Sequence, residues 1–381
     1  MKKIALSKKM WIWIGSCLIF CLMALGFAAL RGSLIRRQTS QQMAERWNRN
    51  GDSAQISCFF SPNAGVTEQT LLGFGYTLDA ALEENSIVLE SQNESARLWT
   101  HTYSAPGFLT VKTNRSTMTN VRTIGVGGDF FAFHPQKLVY GNYFSSSDLN
   151  QDYIILDEEA AWKLYGGSNI AGLTVEVGGR PLVIAGVIER PKGKMEQAAG
   201  LTEPVVYVAL EVLEKYGSSQ GINHYEVVMP NPIKNFAMTL VKEKLSVNEN
   251  ETVMVENTGR YSFFNNLKIL KEFSYRSMNG KAIIYPYWEN LARGYEDKIA
   301  IAVLLMLLCM VYPVVSLSIY LLYRWRHKKW TWESLGKKIR NRVDDLTDKI
   351  RTGQPIGIPF LKKKKKTEMT VYFEEDEHEK S

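Results

Sequence analysis

Two stretches of the chain are apolar and free of charge far beyond the rest: Met10–Leu30, 21 residues, and Ile299–Tyr323, 25 residues. At about 1.5 Å of helical rise per residue, each crosses a hydrocarbon core of roughly 30 Å. Between them the apolar positions recur in short runs of two periods. Ala54–Phe60 reads as a strand, and Thr67 as the N-cap of a helix over Glu68–Glu84 that stacks Leu71, Phe74, Leu78 and Leu82 on one face. Ala96–Tyr103 and Phe108–Lys112 read as two strands around a turn at Pro106-Gly107.

Further along, Tyr153–Leu156 is a strand, and Asp157 caps a short helix with Glu158 and Glu159 in its first turn and Gly166-Gly167 at its end. Leu173–Val177 and Leu182–Ile188 make a hairpin about Gly178-Gly179. Glu226–Met229 is a strand, Asn231-Pro232 are N-cap and first residue of a helix over Ile233–Leu245, and Thr252–Glu256 is another strand. The fold class is therefore α+β, with two β-α-β units around a β-rich insert. Trp288, Leu291, Ala292 and Tyr295 form a helical stripe that runs without a breaker into the second apolar stretch. One helix is expected to join domain and membrane.

Charge orients this plan. The net charge of +7 divides into +5 over residues 1–31, −4 over 32–298 and +6 over 324–381. Basic flanks stay in the cytoplasm, whereas a long domain is exported largely regardless of its charge. The expected map is a cytoplasmic N-terminus at 1–9, spans at Met10–Leu30 and Ile299–Tyr323, an exported domain at 31–298 and a cytoplasmic tail at 324–381, so both termini lie inside a bacterial cell membrane. An apolar core of 21 residues exceeds that of a cleaved signal peptide, so the first span is expected to be a retained anchor. The basicity sits beside the membrane and not on the domain, which argues against nucleic acid as a partner.

The tail carries a helical pattern over 330–351, with Trp332, Leu335, Ile339, Val343, Leu346 and Ile350 on one face and lysines and arginines on the others. That face suits either the anionic lipids of the inner leaflet or a cytoplasmic partner. It is the candidate coupling face.

Candidate chemistry is sparse. The chain has no GxxxxGK[ST] or HExxH. Gly125-Val126-Gly127-Gly128 reads as a strand-end turn rather than a nucleotide loop. His101, His134 and His224 are far apart in the sequence and read as isolated surface or core residues, so no metal site and no cofactor is expected. Cys17, Cys21 and Cys309 fall in the spans and Cys58 in a strand, which gives no disulfide framework. The spans hold no ionisable residue, as an ion pathway would require, and Pro313 is expected to kink the second. No residue stands out as a nucleophile, and the chain is not expected to be an enzyme.

Val126–Arg190 resembles the periplasmic core domain of MacB-like ABC transporter permeases. Phe130-Phe131, Leu138, Gly141, Phe144 and Asp148 follow that family's aromatic pair, Gly-x-x-Phe and acidic residue. Ile154–Leu156, Glu159–Gly166, Asn169–Gly172 and Val183–Val187 match its strand, Glu-Ala helix, N-x-x-G and Gly-Val strand. Val205–Leu210 and Glu226–Leu245 are similar to its second porter-like unit. The resemblance implies a permease-like subunit that works with a separate ATPase and a further permease subunit. Such permeases carry three spans after the exported domain, whereas one is present here, so a non-transporting sensor or scaffold with the same fold is the alternative.

Overall fold

The computed structural model describes residues 8–48, 51–89, 96–145, 151–272 and 285–327, with isolated positions between 336 and 351. It divides into two units, Met1–Pro313 and Val314–Ser381. In chain order the elements are α1 (Lys8–Arg36), α2 (Met43–Trp47), β1 (Ser53–Phe60), α3 (Glu68–Glu84), β2 (Thr100–Lys112), β3 (Thr117–Gly128), α4 (Phe130–Phe133), β4 (Leu138–Gly141), β5 (Tyr153–Asp157) and α5 (Glu158–Tyr165). They continue with β6 (Thr174–Val177), β7 (Arg180–Ile188), α6 (Lys194–Ala198), β8 (Val205–Ala209), α7 (Leu210–Tyr216), β9 (Ser218–Ser219), β10 (His224–Pro230), α8 (Phe236–Lys244), β11 (Thr252–Glu256), α9 (Phe263–Glu272) and α10 (Tyr287–His327).

Among the described residues the strands form one sheet in the order β11-β1-β10-β2-β3-β8-β5-β7-β4, with β6 paired to β2 and β7 and β9 paired to β2. Strand β1 lies antiparallel between β10 and β11, and β10 lies antiparallel between β1 and β2. Hence β1-α3-β2 and β10-α8-β11 are two split β-α-β units whose strands interleave, the arrangement of a ferredoxin-like half. The segment from β3 to β9 is the insert between them. It carries its own core of Ile154, Leu156, Leu182, Ile184, Val206 and Val208 under α5 and α7.

Local chemistry explains the elements. Thr67 Oγ1 accepts from Thr70 N while Thr70 Oγ1 accepts from Thr67 N, a capping box that starts α3. Asp157 Oδ1 takes the Ala160 amide at 2.7 Å and so starts α5, which Gly166 ends in the left-handed conformation. Leu71, Phe74, Leu78 and Leu82 of α3 are buried with Ala237, Leu240 and Val241 of α8 on one face of β1 and β10.

Two sequence expectations are corrected. Pro106-Gly107 is not a turn but the middle of β2, because β10 leaves β2 after Ser104 and so needs no amide from Pro106. Gly107 is required there by proximity: a Cβ would stand 2.4 Å from the Ser218 carbonyl. Helix α8 begins at Phe236, not Ile233, with Asn235 left-handed before it. Asn231 still serves the helix, since its Oδ1 accepts from Ala237 N at 3.1 Å.

Among the described residues, helices α1 and α10 are the two long and apolar enough to cross a membrane. The expected span ends Met10 and Leu30 fall inside α1, and Ile299 and Tyr323 inside α10. Ser16 Oγ lies 2.9 Å from Tyr312 Oη, Phe20 packs on the Tyr312 ring at 4.9 Å, and Arg31 donates to the Tyr261 carbonyl at 2.6 Å. Thus α1 is held both to α10 and to the domain. In the second unit, α10 continues with Ser318 Oγ bonded to the Val314 carbonyl at 2.7 Å.

Candidate functional site: a buried polar network on the first turns of α10

The site follows from alternation. In β1 and β10 every residue but the last of β10 is buried. Successive side chains point to opposite faces. Ala54, Ile56 and Cys58, with Tyr225, Val227 and Met229, meet α3 and α8. The opposite face receives Gln55 and Ser57 from β1, His224 and Glu226 from β10, and Thr100, Thr102 and Ser104 from β2, all buried. Register lines them up, with Ser57 opposite Glu226 opposite Thr102, and His224 opposite Ser104. Polar groups taken from water must find partners, because an unpaired one costs roughly 1–3 kcal/mol.

They find them in one continuous network. Glu226 accepts from Ser57 Oγ at 2.8 Å, from His224 Nε2 at 3.0 Å and from Gln55 Nε2 at 2.8 Å. Ser57 Oγ in turn accepts from Asn257 Nδ2 at 2.7 Å, and Asn257 Oδ1 accepts from Arg260 Nη1 at 3.1 Å. Arg260 grips Glu289 of α10 with both terminal nitrogens, at 2.7 and 2.9 Å, and its Nε donates to Glu296. Arg293 adds a second guanidinium to Glu289 at 2.7 Å. The chain of bonds therefore runs from the centre of the sheet into α10, ten residues before its apolar part starts at Ile299.

The charges fix the ionisation of the network. Burial works against the Arg260 cation, but Glu289 outweighs it and raises its pKa. Burial likewise favours the neutral acid at Glu289, but Arg260 and Arg293 together outweigh it and hold Glu289 below its ordinary value. Burial would also push Glu226 up; the two imidazoles and the hydrogen bonds from His224 and Ser57 hold it at about 2. His134, wholly buried, is pushed down to about 3 and is neutral. A fork-shaped guanidinium on a carboxylate is directional as well as strong, so Arg260 sets the rotation of α10 and not only its distance.

Packing surrounds the network. The Trp288 ring of α10 lies 4.4 Å from that of His134 and 5.1 Å from that of His224. Phe130 packs on Trp288, and Tyr287 Oη meets Tyr207 Oη at 3.3 Å. Tyr295 and Ile299 are buried against Tyr261, Leu34 and Ile35.

His134 and His224, expected to be far apart, are brought together with ring centres 5.5 Å apart; His134 lies within the insert at the end of α4, and His224 opens β10 just after it. His101 lies on the other face of β2, stacked between Trp99 and Tyr103. Cys58 is buried and free, as expected. Gly127 and Gly128 end β3, where a Cβ on Gly127 would strike the Tyr103 ring at 2.1 Å. Trp332, Leu335, Ile339, Leu346 and Ile350 of the expected coupling face, and Asp148, lie outside the described residues; Val343 is helical and exposed.

The model of the MacB-like periplasmic core domain matches residues 16–249, well over half of the chain. The chain belongs to the MacB-like periplasmic core domain family. It is accordingly a two-span membrane protein with an extracytoplasmic MacB-like domain. Among curated relatives, the macrolide export ATP-binding/permease protein MacB of Chromobacterium violaceum is 34% identical over 82 residues, which is 21% of this chain and 13% of that protein. The protein of the same name from Pasteurella multocida is 29% identical over 79 residues, 20% of this chain and 12% of that one. The matched segment thus spans about an eighth of these relatives' length. Among solved structures, the periplasmic region of MacB from Actinobacillus actinomycetemcomitans aligns over 60% of this chain and 97% of its own, with 15% identity and a TM-score of 0.36. The extracellular domain of the noncanonic ABC-type transporter YknZ from Gram-positive bacteria aligns over 53% and 99%, with 16% identity and a TM-score of 0.35. The MacB-like match ends before Arg260, Glu289 and Glu296, so the grip on α10 lies beyond it.

Proposed function

We propose that this chain is a permease-like subunit of an ABC transporter complex, in which a separate ATPase moves the extracytoplasmic domain through α10. The observation that carries the reading is the grip of Arg260 on Glu289 and Glu296, two positions seven residues and two turns apart on the helix that enters the apolar span. A helix that only anchored the domain would need no buried, oriented ion pair at that junction. Membership of the MacB-like family supports the ABC assignment. In this reading both termini are cytoplasmic, the tail face of Trp332, Leu335, Ile339, Val343, Leu346 and Ile350 meets the ATPase or anionic lipid, and a further permease chain completes the membrane part. Co-purification of the full chain in a mild detergent tests it. Recovery of an ATP-binding subunit and a multi-span chain is expected, with loss of the ATPase on deleting residues 330–381. A chain that purifies alone from every detergent contradicts the proposal and leaves the sensor or scaffold reading.

A further inference from the structure

The network has one end that the grip on α10 does not explain. His134, His224 and Glu226 each bring one donor atom within 4.8 Å of the other two, and all three residues are buried. Glu226 Oε1 stands 3.0 Å from His224 Nε2 and 3.9 Å from His134 Nε2. His134 is 0% exposed, and neither of its ring nitrogens has a hydrogen-bond partner. An imidazole with both nitrogens buried and unbonded forfeits roughly 1–3 kcal/mol per group. Nothing in the fold recovers that cost, yet the side chain is aimed at a carboxylate.

We propose that these three residues form a site for a divalent transition-metal ion, zinc by its chemistry. Two imidazoles and one carboxylate are a ligand set of nitrogen and oxygen that suits zinc rather than calcium or magnesium, which take oxygen alone. A tetrahedral ion about 2.0–2.1 Å from each nitrogen sets its donors roughly 3.3–3.5 Å apart; the 3.0 Å edge from His224 to Glu226 opens slightly, the 3.9 Å edge from His134 to Glu226 closes slightly, and the two imidazoles, within 4.8 Å, draw together. The surroundings are those of a prepared ligand. His224 Nδ1 faces Ser104 Oγ at 3.2 Å, so the ring proton moves from Nε2 to Nδ1 and is accepted by the serine, which frees Nε2 for the metal. Glu226 keeps its second oxygen on Gln55 Nε2. Arg46 donates to the carbonyls of Ala132 and Phe133 and so fixes the backbone that presents His134. The three side chains leave the fourth position of the ion to a water, and full burial means that the site is occupied as the chain folds. It ties the end of α4 to β10 directly beneath Trp288, and therefore stiffens the seat of α10.

The test uses the full chain in detergent, purified from cells grown with zinc and, separately, with cobalt in place of zinc. About one equivalent of zinc per chain is expected after a brief wash with a chelator, and the cobalt protein is expected to show the visible bands of a four-coordinate nitrogen/oxygen site. His134→Gln and Glu226→Gln are expected to lower occupancy at least tenfold, and Ser104→Ala to weaken affinity about 10–100-fold while leaving every ligand in place. A folded wild-type chain with no stoichiometric zinc or cobalt overturns the proposal, as does metal retained undiminished by His134→Gln. Should the ligand variants fail to fold, the stoichiometry and the cobalt spectrum of the wild type decide alone.

Discussion

Arg260 is the residue on which the account turns. Removing one member of a buried pair strands the other's charge, at a cost of about 3–5 kcal/mol. Arg260→Ala should therefore lower the thermal midpoint of the exported domain sharply. Arg260→Lys should recover only part of the loss, because a lysine cannot make the fork to Glu289. Acid sensitivity follows from the same contact. The pKa of Glu289 is lower folded than unfolded, since Arg260 and Arg293 together outweigh burial, so its contribution is complete above about pH 4.5 and fades as pH falls through the folded value. Chemical denaturation below pH 4.5 should show this acid limb in the wild type and a flatter limb in Glu289→Gln; limbs of equal slope would argue against the pair. Sequence alone did not point to Arg260, which follows a strand with no motif around it. The signal that was available is the spacing of Glu289 and Glu296, acids two turns apart beside the stripe of Trp288, Leu291, Ala292 and Tyr295. Nor did the histidines reveal their meeting, because they are 90 positions apart in the sequence and only the tertiary placement of α4 against β10 brings them together.

Among elements, those with local chemistry were legible. The capped helices α3 and α5, the Gly178-Gly179 hairpin and the run from Trp288 into the apolar segment all stand where the pattern puts them. What failed was non-local: β2 runs on through Pro106-Gly107 because of where β10 leaves and how close β9 comes, and no local rule conveys either. Nor does the alternation in β1 and β10 convey that the polar Gln55, Ser57 and Glu226 are all buried. Capping offers a simple check on α3. Thr67→Ala removes the bond from Thr70 N to Thr67 Oγ1 and leaves the reciprocal one from Thr67 N to Thr70 Oγ1; it should cost about 1 kcal/mol, read as a small fall in the denaturant midpoint at unchanged slope. A change near zero would show that tertiary packing alone sets the helix start.

At the scale of the whole molecule, topology and coupling are the open claims. Asn114 is exposed in the turn between β2 and β3, the native Cys58 is buried, and Ser381 is in the tail. A membrane-impermeant thiol label on intact cells should modify Asn114→Cys and spare Ser381→Cys; the reverse would overturn the orientation and the functional reading with it. Coupling is the central claim, and α10 is where to break it. Lys298 is exposed and Ile301 partly so, both just past the Arg260 grip. Glycine at both positions costs the helix about 1 kcal/mol each relative to alanine without touching the buried pairs. The decisive measurement is the ATP-driven change in a fluorescent label on Asn114→Cys in the complex reconstituted with the proposed ATPase. The account predicts that Lys298→Gly with Ile301→Gly abolishes the change while the paired alanines retain it. If glycine and alanine pairs respond alike, α10 is a tether and the domain is not driven through it.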